Sequence, residues 1–289
     1  MLAILIGGGA AILTGSWQFS LKSRGPENFK PLIQHNATAP NHIPNTTLRV
    51  MTLNLAHGRL NGFHQTVQSK KKIYENLDII SNVLKRENPD IVALQEADGP
   101  SFWSGNFNHV NHLADITPFS YAVRGHHVES QFLNYGTALL SQVPISSAVS
   151  SSFEPTPPTP AKGFIITTIE HPNLPQGLDI VSVHLDFARS AVRKSQIGSL
   201  IEALANRERP CVIMGDFNAS WKDESVLHLL STTLNLTAYK PNTGRITFPK
   251  TKQRIDWIFI SKGLTFESYR VLDDKISDHR AVIADIKLP

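Results

Sequence analysis

The chain has 289 residues, 41% hydrophobic and 18% charged. That is enough apolar content for one large domain or two small ones, and too little charge for wholesale disorder. Net charge is +4, of which +2 lies in residues 1–48, so the rest of the chain advertises no extended duplex-binding surface. The single cysteine, Cys211, excludes an internal disulfide and a cysteine-rich metal site, and within Pro210-Cys211-Val212-Ile213-Met214 it reads as a buried thiol.

Residues 1–19 open with an almost wholly apolar stretch, short for a membrane span and suited to an export signal or N-terminal anchor. This predicts a membrane-anchored or extracytoplasmic protein, with membrane association through the N-terminus. Residues 20–47 contain Pro26, Pro31, Pro40 and Pro44 among polar residues and read as a linker. One globular domain is expected over 48–289.

Arg49 to Leu55 reads as a strand. From Val67 to Arg86 the apolar residues Ile73, Leu77, Ile80 and Leu84 line one helix face, which Pro89 ends. Lys70, Lys71 and Lys72 at its start read as a solvated charge run. Asp90 to Glu96 is the next strand. Residues 99–134 read as a long irregular loop, and long loops are often functional. Strands are expected at 135–141, 164–169 and 178–186, with Glu154 to Pro160 a surface loop. A helix over 189–206 turns Val192, Ile197, Leu200, Ile201 and Leu204 inward. Strands follow near 211–215, 254–260, 266–271 and 280–287, with a short helix near 224–231. The alternation suggests an α/β sandwich of packed sheets with helices outside.

Polar residues recur at the ends of these strands. Asn54 ends the first and Glu96 the second, His184 ends a middle one, and Asp216 and Asn218 end another; Asp256 lies within its strand, and Asp278 and His279 precede the last. A carboxylate on a half-buried strand must be paired or bind a metal. Strand ends on one edge of a sheet converge in space, which predicts one polar site. Its oxygen-rich donors suit Mg²⁺, Mn²⁺ or Ca²⁺, and with two histidines they describe phosphoester hydrolysis. Asp186 is open between a ligand and a loop cap. His57 reads as a turn residue. Arg193 and Arg254 are candidates for a substrate phosphate, with surface ion pairing the alternative.

Asn54, Leu94-Gln95-Glu96, Gly215-Asp216-Phe217-Asn218, Ile255-Asp256-Trp257-Ile258 and Ser277-Asp278-His279 resemble, in order, the five signatures of the endonuclease/exonuclease/phosphatase superfamily. The resemblance implies a four-layer α/β sandwich with two central, mostly antiparallel sheets flanked by helices. It implies Mg²⁺ or Mn²⁺ on Glu96, with Asn54 binding metal or phosphate and Asp278 on the metal side. Asp216 and Asn218 would hold the attacking water or phosphate. His279, oriented by Asp256, would act as general base or phosphate contact, and His184 would touch phosphate or assist the leaving group. Ala56 and His57 follow Asn54 where abasic-site endonucleases usually carry Asn or Asp and then Gly. His184, where those enzymes tend to have Tyr, is similar to secreted deoxyribonucleases, sphingomyelinases and lipid phosphodiesterases. A lipid or small phosphodiester is therefore the expected substrate, with nucleic acid as the alternative and a non-catalytic phosphoester-binding role as the second alternative. No obligate protein partner is expected.

Overall fold

The computed structural model describes residues 30, 32–35, 46–62, 68–222 and 225–289. The expectations for residues 1–19 lie outside these residues. No helix among the described residues is long and apolar enough to cross a membrane.

In chain order the elements are β1 (Ile33–His35), β2 (Thr47–Asn54), α1 (Lys70–Glu87), β3 (Ile91–Asp98), α2 (His109–Ile116), β4 (Tyr121–Arg124), β5 (Val128–Glu129), β6 (Asn134–Ser141), β7 (Ile145–Ser152), β8 (Gly163–His171), β9 (Leu174–His184), α3 (Ser190–Ala205), β10 (Cys211–Asp216), α4 (Ser225–Thr233), β11 (Leu236–Ala238), β12 (Asp256–Ser261), β13 (Thr265–Val271) and β14 (Val282–Lys287). One sheet has the order β1-β4-β6-β3-β2-β14-β13, with β5 on β6; the other has β11-β12-β10-β9-β8-β7. Every pairing is antiparallel except β2 with β3 and β9 with β10. The two sheets bury one core between them, including Val50, Ile91, Ile180, Val212, Met214 and Ile258. A second core packs α1 and α2 on the first sheet, and a third packs α3 and α4 on the other. This is the expected four-layer sandwich.

Local chemistry explains the helix ends. The Ser69 hydroxyl accepts the Lys72 backbone N–H and caps α1, and Asn88, at φ 44°, closes it just before Pro89. Lys70, Lys71 and Lys72 are exposed. In α3, Ile197, Leu200 and Leu204 are buried, whereas Val192 and Ile201 are only half-buried and Arg193 and Gln196 turn inward instead.

Three readings need correction. Residues 99–134 are not one irregular loop, because α2, β4 and β5 lie within them. Asn108 caps α2 by accepting from Val110 and Asn111, a start signal obscured by the surrounding Asn and His. Strand β7 has no counterpart among the expected strands, because Ile145-Ser146-Ser147-Ala148-Val149-Ser150-Ser151-Ser152 carries five serines and gives little strand signal of its own. Pairing with β8 overrides that local preference. Finally, Ile33–His35, inside the stretch read as linker, pairs with β4 at a sheet edge.

Gly215 shows how closely the site's strands approach. Its φ is 150°, and a Cβ there would lie 1.9 Å from the Val183 carbonyl oxygen on β9. Gly215→Ala is therefore expected to destabilise the fold by more than about 3 kcal/mol. Chemical denaturation checks this; an unchanged midpoint would contradict the packing.

Candidate active site

Strand alternation builds the site from the core outward. Residues two apart on a strand face the same side. On the side facing the other sheet, β2 presents Val50, Thr52 and Asn54, β9 presents Ile180, Ser182 and His184, and β10 presents Val212, Met214 and Asp216. On β12 the run is Ile260, Ile258 and Asp256, and on β3 it is Ile91, Ala93 and Gln95. Each run starts in the apolar core and ends in a polar group at one rim. Between core and rim lies a neutral layer: the Gln95 amide nitrogen donates to the Thr52 hydroxyl at 3.2 Å and to the Ser182 hydroxyl at 3.2 Å. The outermost rung is ionisable, since Asp216 is paired directly with His184 on one side and Asp256 on the other.

Glu96 breaks the alternation. The β3–β6 register shifts between Leu94 and Ala97, and Glu96 sits at φ 50°. A bulge of this kind re-aims a side chain and stores strain, and both are concentrated at functional sites.

The side chains meet. The Asn54 amide nitrogen donates to Asp216 Oδ2 at 3.0 Å. His184 Nε2 lies 3.6 Å and His279 Nε2 3.8 Å from that same oxygen. His279 Nδ1 donates to both Asp256 oxygens, at 3.1 and 3.0 Å. Asn218, at φ 49°, donates its backbone N–H to Asp216 Oδ1 at 2.9 Å and its side-chain amide to the Leu185 carbonyl at 3.0 Å. Lys162 links the two halves, with Nζ 3.4 Å from His184 Nδ1 and 4.0 Å from Glu96 Oε1.

Electrostatics divide these groups. Burial raises the Asp216 carboxyl above its ordinary range; His279 opposes this and Asp256 reinforces it. Burial disfavours charge on His279, yet Asp256 and Asp216 outweigh it and push the imidazole up to about 10. Burial and the neighbouring Lys162 keep His184 neutral, far below its ordinary value. Lys162 is also lowered by burial, with Glu96, Asp216 and Asp186 opposing. For Glu96 burial works against the charge, but His57 and Lys162, with His184 and Arg59, hold the carboxyl well below the usual range.

Other candidates take different places. Asp278 Oδ2 accepts from Arg59 at 2.7 Å and Lys250 at 3.1 Å, so that oxygen is taken up by two cations. Arg254, expected at a substrate phosphate, is instead committed to the carbonyls of Tyr239 and Lys240 and the Tyr269 hydroxyl, and stacks 3.9 Å above the Trp257 ring. A planar guanidinium suits such bracing between strands. Arg193 is buried in α3 and donates to the Asp186 carbonyl at 3.0 Å. Asp186 is a loop cap, accepting from the backbone of Ala188 and Arg189, both at 2.8 Å, and from Thr159 at 2.7 Å.

Two site residues were undervalued. Lys162 follows the proline-rich loop and gives no sequence signal of its own; only a lysine next to a strand buried on both faces would have hinted at it. His57 is not a mere turn residue, because its Nδ1 lies 2.8 Å from Asp98 Oδ1 and its Nε2 3.3 Å from Glu96 Oε2. Burial opposes its charge, but Asp98 and Glu96 raise its pKa. Lys162→Met is expected to lower kcat/KM on a phosphodiester by about tenfold to a hundredfold, since a charge-assisted contact contributes about 1.5–3 kcal/mol. Steady-state kinetics check it, and unchanged kinetics would remove Lys162 from the substrate contacts.

A rim that gathers Asn54, Glu96, His184, Asp216, Asp256 and His279 above a two-sheet core defines a phosphoesterase class of site. The chain belongs to the endonuclease/exonuclease/phosphatase family, whose model matches residues 51–279. That family comprises hydrolases of phosphoester bonds, which typically use divalent metals. A sequence comparison with curated proteins gave no match. Among solved structures, the endonuclease/exonuclease/phosphatase from Bacteroides vulgatus superposes with a TM-score of 0.67 at 17% identity, covering 85% of this chain and 100% of that one. The protein from Beutenbergia cavernae gives 0.65 at 19%, covering 84% and 72%. The human Nocturnin catalytic domain with bound sulfate gives 0.61 at 19%, covering 86% and 97%. At these identities the likeness is one of fold.

Proposed function

We propose that the chain is a divalent-metal-dependent phosphodiesterase acting on a lipid or other small phosphodiester. The observation that carries the reading is the Asp256–His279–Asp216 cluster, set against Glu96, Asn54 and Lys162 at one rim.

The donor set fits a hard divalent ion. Glu96 is an ionised carboxylate at the mouth. The Asn54 side-chain oxygen accepts the Ala56 N–H at 2.9 Å and keeps a second lone pair. Mg²⁺ or Mn²⁺ held there would neutralise phosphoryl oxygens. Asp216, Asp256 and His279 also offer ligand atoms within 4.8 Å of one another. A cation there would break the Asp256–His279 hydrogen bonds, so Glu96 is the better anchor.

The protein's own groups divide the remaining work. Asp256 fixes His279 with Nδ1–H toward the carboxylate, leaving Nε2–H for a phosphoryl oxygen. Because two carboxylates hold His279 as an imidazolium, it donates rather than accepts. Asp216, made more basic by burial, is the group suited to take the proton of the attacking water. Asn54 and the Asn218 backbone orient its two oxygens. His184 accepts from Lys162 at Nδ1 and turns Nε2–H toward the reacting centre. Lys162 offers its charge to the phosphate.

Charge favours a compact substrate. Arg59 and Lys250 share the single carboxylate of Asp278, and Lys162 is buried. A nucleic-acid backbone is usually tracked by rows of exposed cations. The test is a panel of sphingomyelin, phosphatidylinositol and plasmid DNA with the purified full chain, in Mg²⁺ or Mn²⁺, with and without chelator. Chelator-sensitive hydrolysis of a lipid supports the reading. Cleavage of DNA alone makes the protein a nuclease, and no turnover on any arm leaves a phosphoester-binding protein.

A further inference from the structure

We infer that His57 is a nitrogen ligand for the divalent ion, paired with Glu96 and oriented by Asp98, and that it biases the site toward Mn²⁺ over Mg²⁺. The inference rests on the reading of Glu96 as the cation's anchor and concerns which ion that anchor takes.

Three observations carry it. First, Asp98 is fully buried and receives His57 Nδ1 at 2.8 Å. That fixes the proton on Nδ1 and turns Nε2 toward Glu96, where a bound cation would take the place of the Nε2 proton. A carboxylate behind one ring nitrogen, with the other nitrogen facing a ligand, is the usual arrangement of metal-binding histidines. Second, His57 and Glu96 both sit at positive φ, 56° and 50°, although neither is a glycine. Backbone strain at two residues whose side chains meet points to a functional demand on that contact. Trp103 and Tyr135 pack edge-on to the His57 ring, at 5.6 and 5.2 Å between centroids, and hold its plane.

Third, the donor pair selects the ion. His57 Nε2 and Glu96 Oε2 are 3.3 Å apart, close enough for one cation to meet both. Imidazole nitrogen is a poor donor for the hard ions Mg²⁺ and Ca²⁺. Mn²⁺ accepts nitrogen more readily while still taking carboxylate oxygen.

The experiment uses the full chain with Mn²⁺ alone and reads ¹⁴N hyperfine coupling by pulsed electron paramagnetic resonance, with calorimetry for affinity. Wild type is expected to show histidine nitrogen coupling. His57→Asn is expected to lose it and to weaken Mn²⁺ binding about tenfold or more, with a smaller change for Mg²⁺. Asparagine tolerates positive φ, so this variant keeps the turn. Asp98→Asn is expected to retain the coupling while weakening binding several-fold. Mn²⁺ bound without nitrogen coupling in wild type, or coupling that survives in His57→Asn, overturns the inference and leaves the phosphodiesterase reading intact. Failure of wild type to bind Mn²⁺ overturns both.

Discussion

Replacing His279 with asparagine is expected to lower kcat on bis(p-nitrophenyl) phosphate by about 10³–10⁴-fold, with KM changed far less. The ring is held by Asp256 at 3.0 Å and faces Asp216 across 3.8 Å. Removing it deletes the cation that meets the phosphoryl group and leaves two buried carboxylates facing each other. Asp256→Asn is the sharper probe. It leaves the histidine in place but replaces a carboxylate with an amide that can present its NH₂ to Nδ1, which selects the other tautomer. A loss of about 10²-fold or more is expected, as for other His–Asp pairs in which the acid fixes orientation. Stopped or steady-state assays on the two variants and the double variant check this. A double variant as impaired as His279→Asn alone shows one unit. Additive losses would mean that the two side chains act separately, and the proposed division of labour would fail.

Acid is expected to destabilise the fold over the range where histidines titrate, and His127 is one reason. Its ring is buried, with Nδ1 3.2 Å from the Ser152 hydroxyl and Nε2 3.0 Å from the Thr137 hydroxyl. Burial, with His126, Lys162 and Arg124 nearby, pushes it down to about 3 from an ordinary 6.5. The folded value lies below the unfolded one. The stabilisation is therefore complete above pH 6.5 and is lost as pH falls from there toward 3. This amounts to about 1.4 kcal/mol per pH unit, or roughly 3 kcal/mol between pH 6.5 and about 4.5. His184, lowered chiefly by burial, has the same sign. His127→Gln is expected to lose some stability at neutral pH and to flatten the dependence of unfolding free energy on pH by about one proton. Denaturant titrations from pH 7 to about 4.5 check it, and an unchanged slope would show that His127 is solvated when folded.

Much of the fold was legible because its signals are local. The apolar face of α1, its stop before Pro89 and the runs at β3, β6, β9, β10 and β12 need only neighbours in sequence. The misses fall where the signal is not local. Strand β7 is serine-rich and is a strand only because β8 lies beside it. Helix α2 has a good cap but a polar exterior. Arg254 was one candidate for a substrate phosphate, yet its side chain stacks on Trp257.

By itself the sequence determined which residue types stand at the strand ends, and a carboxylate in such a place has few physical roles. The period of two along each strand also carried the order from apolar core through Thr52, Gln95 and Ser182 to the ionisable rim. Only the tertiary structure decided which of these groups share a proton, a charge or an oxygen. The Glu96 bulge, the rung joining His184, Asp216 and Asp256, the arrival of Lys162 and the clamp of Asp98 on His57 all depend on contacts between distant strands. Coulomb and desolvation energies change steeply over a few ångströms, so those contacts set the ionisation of each group.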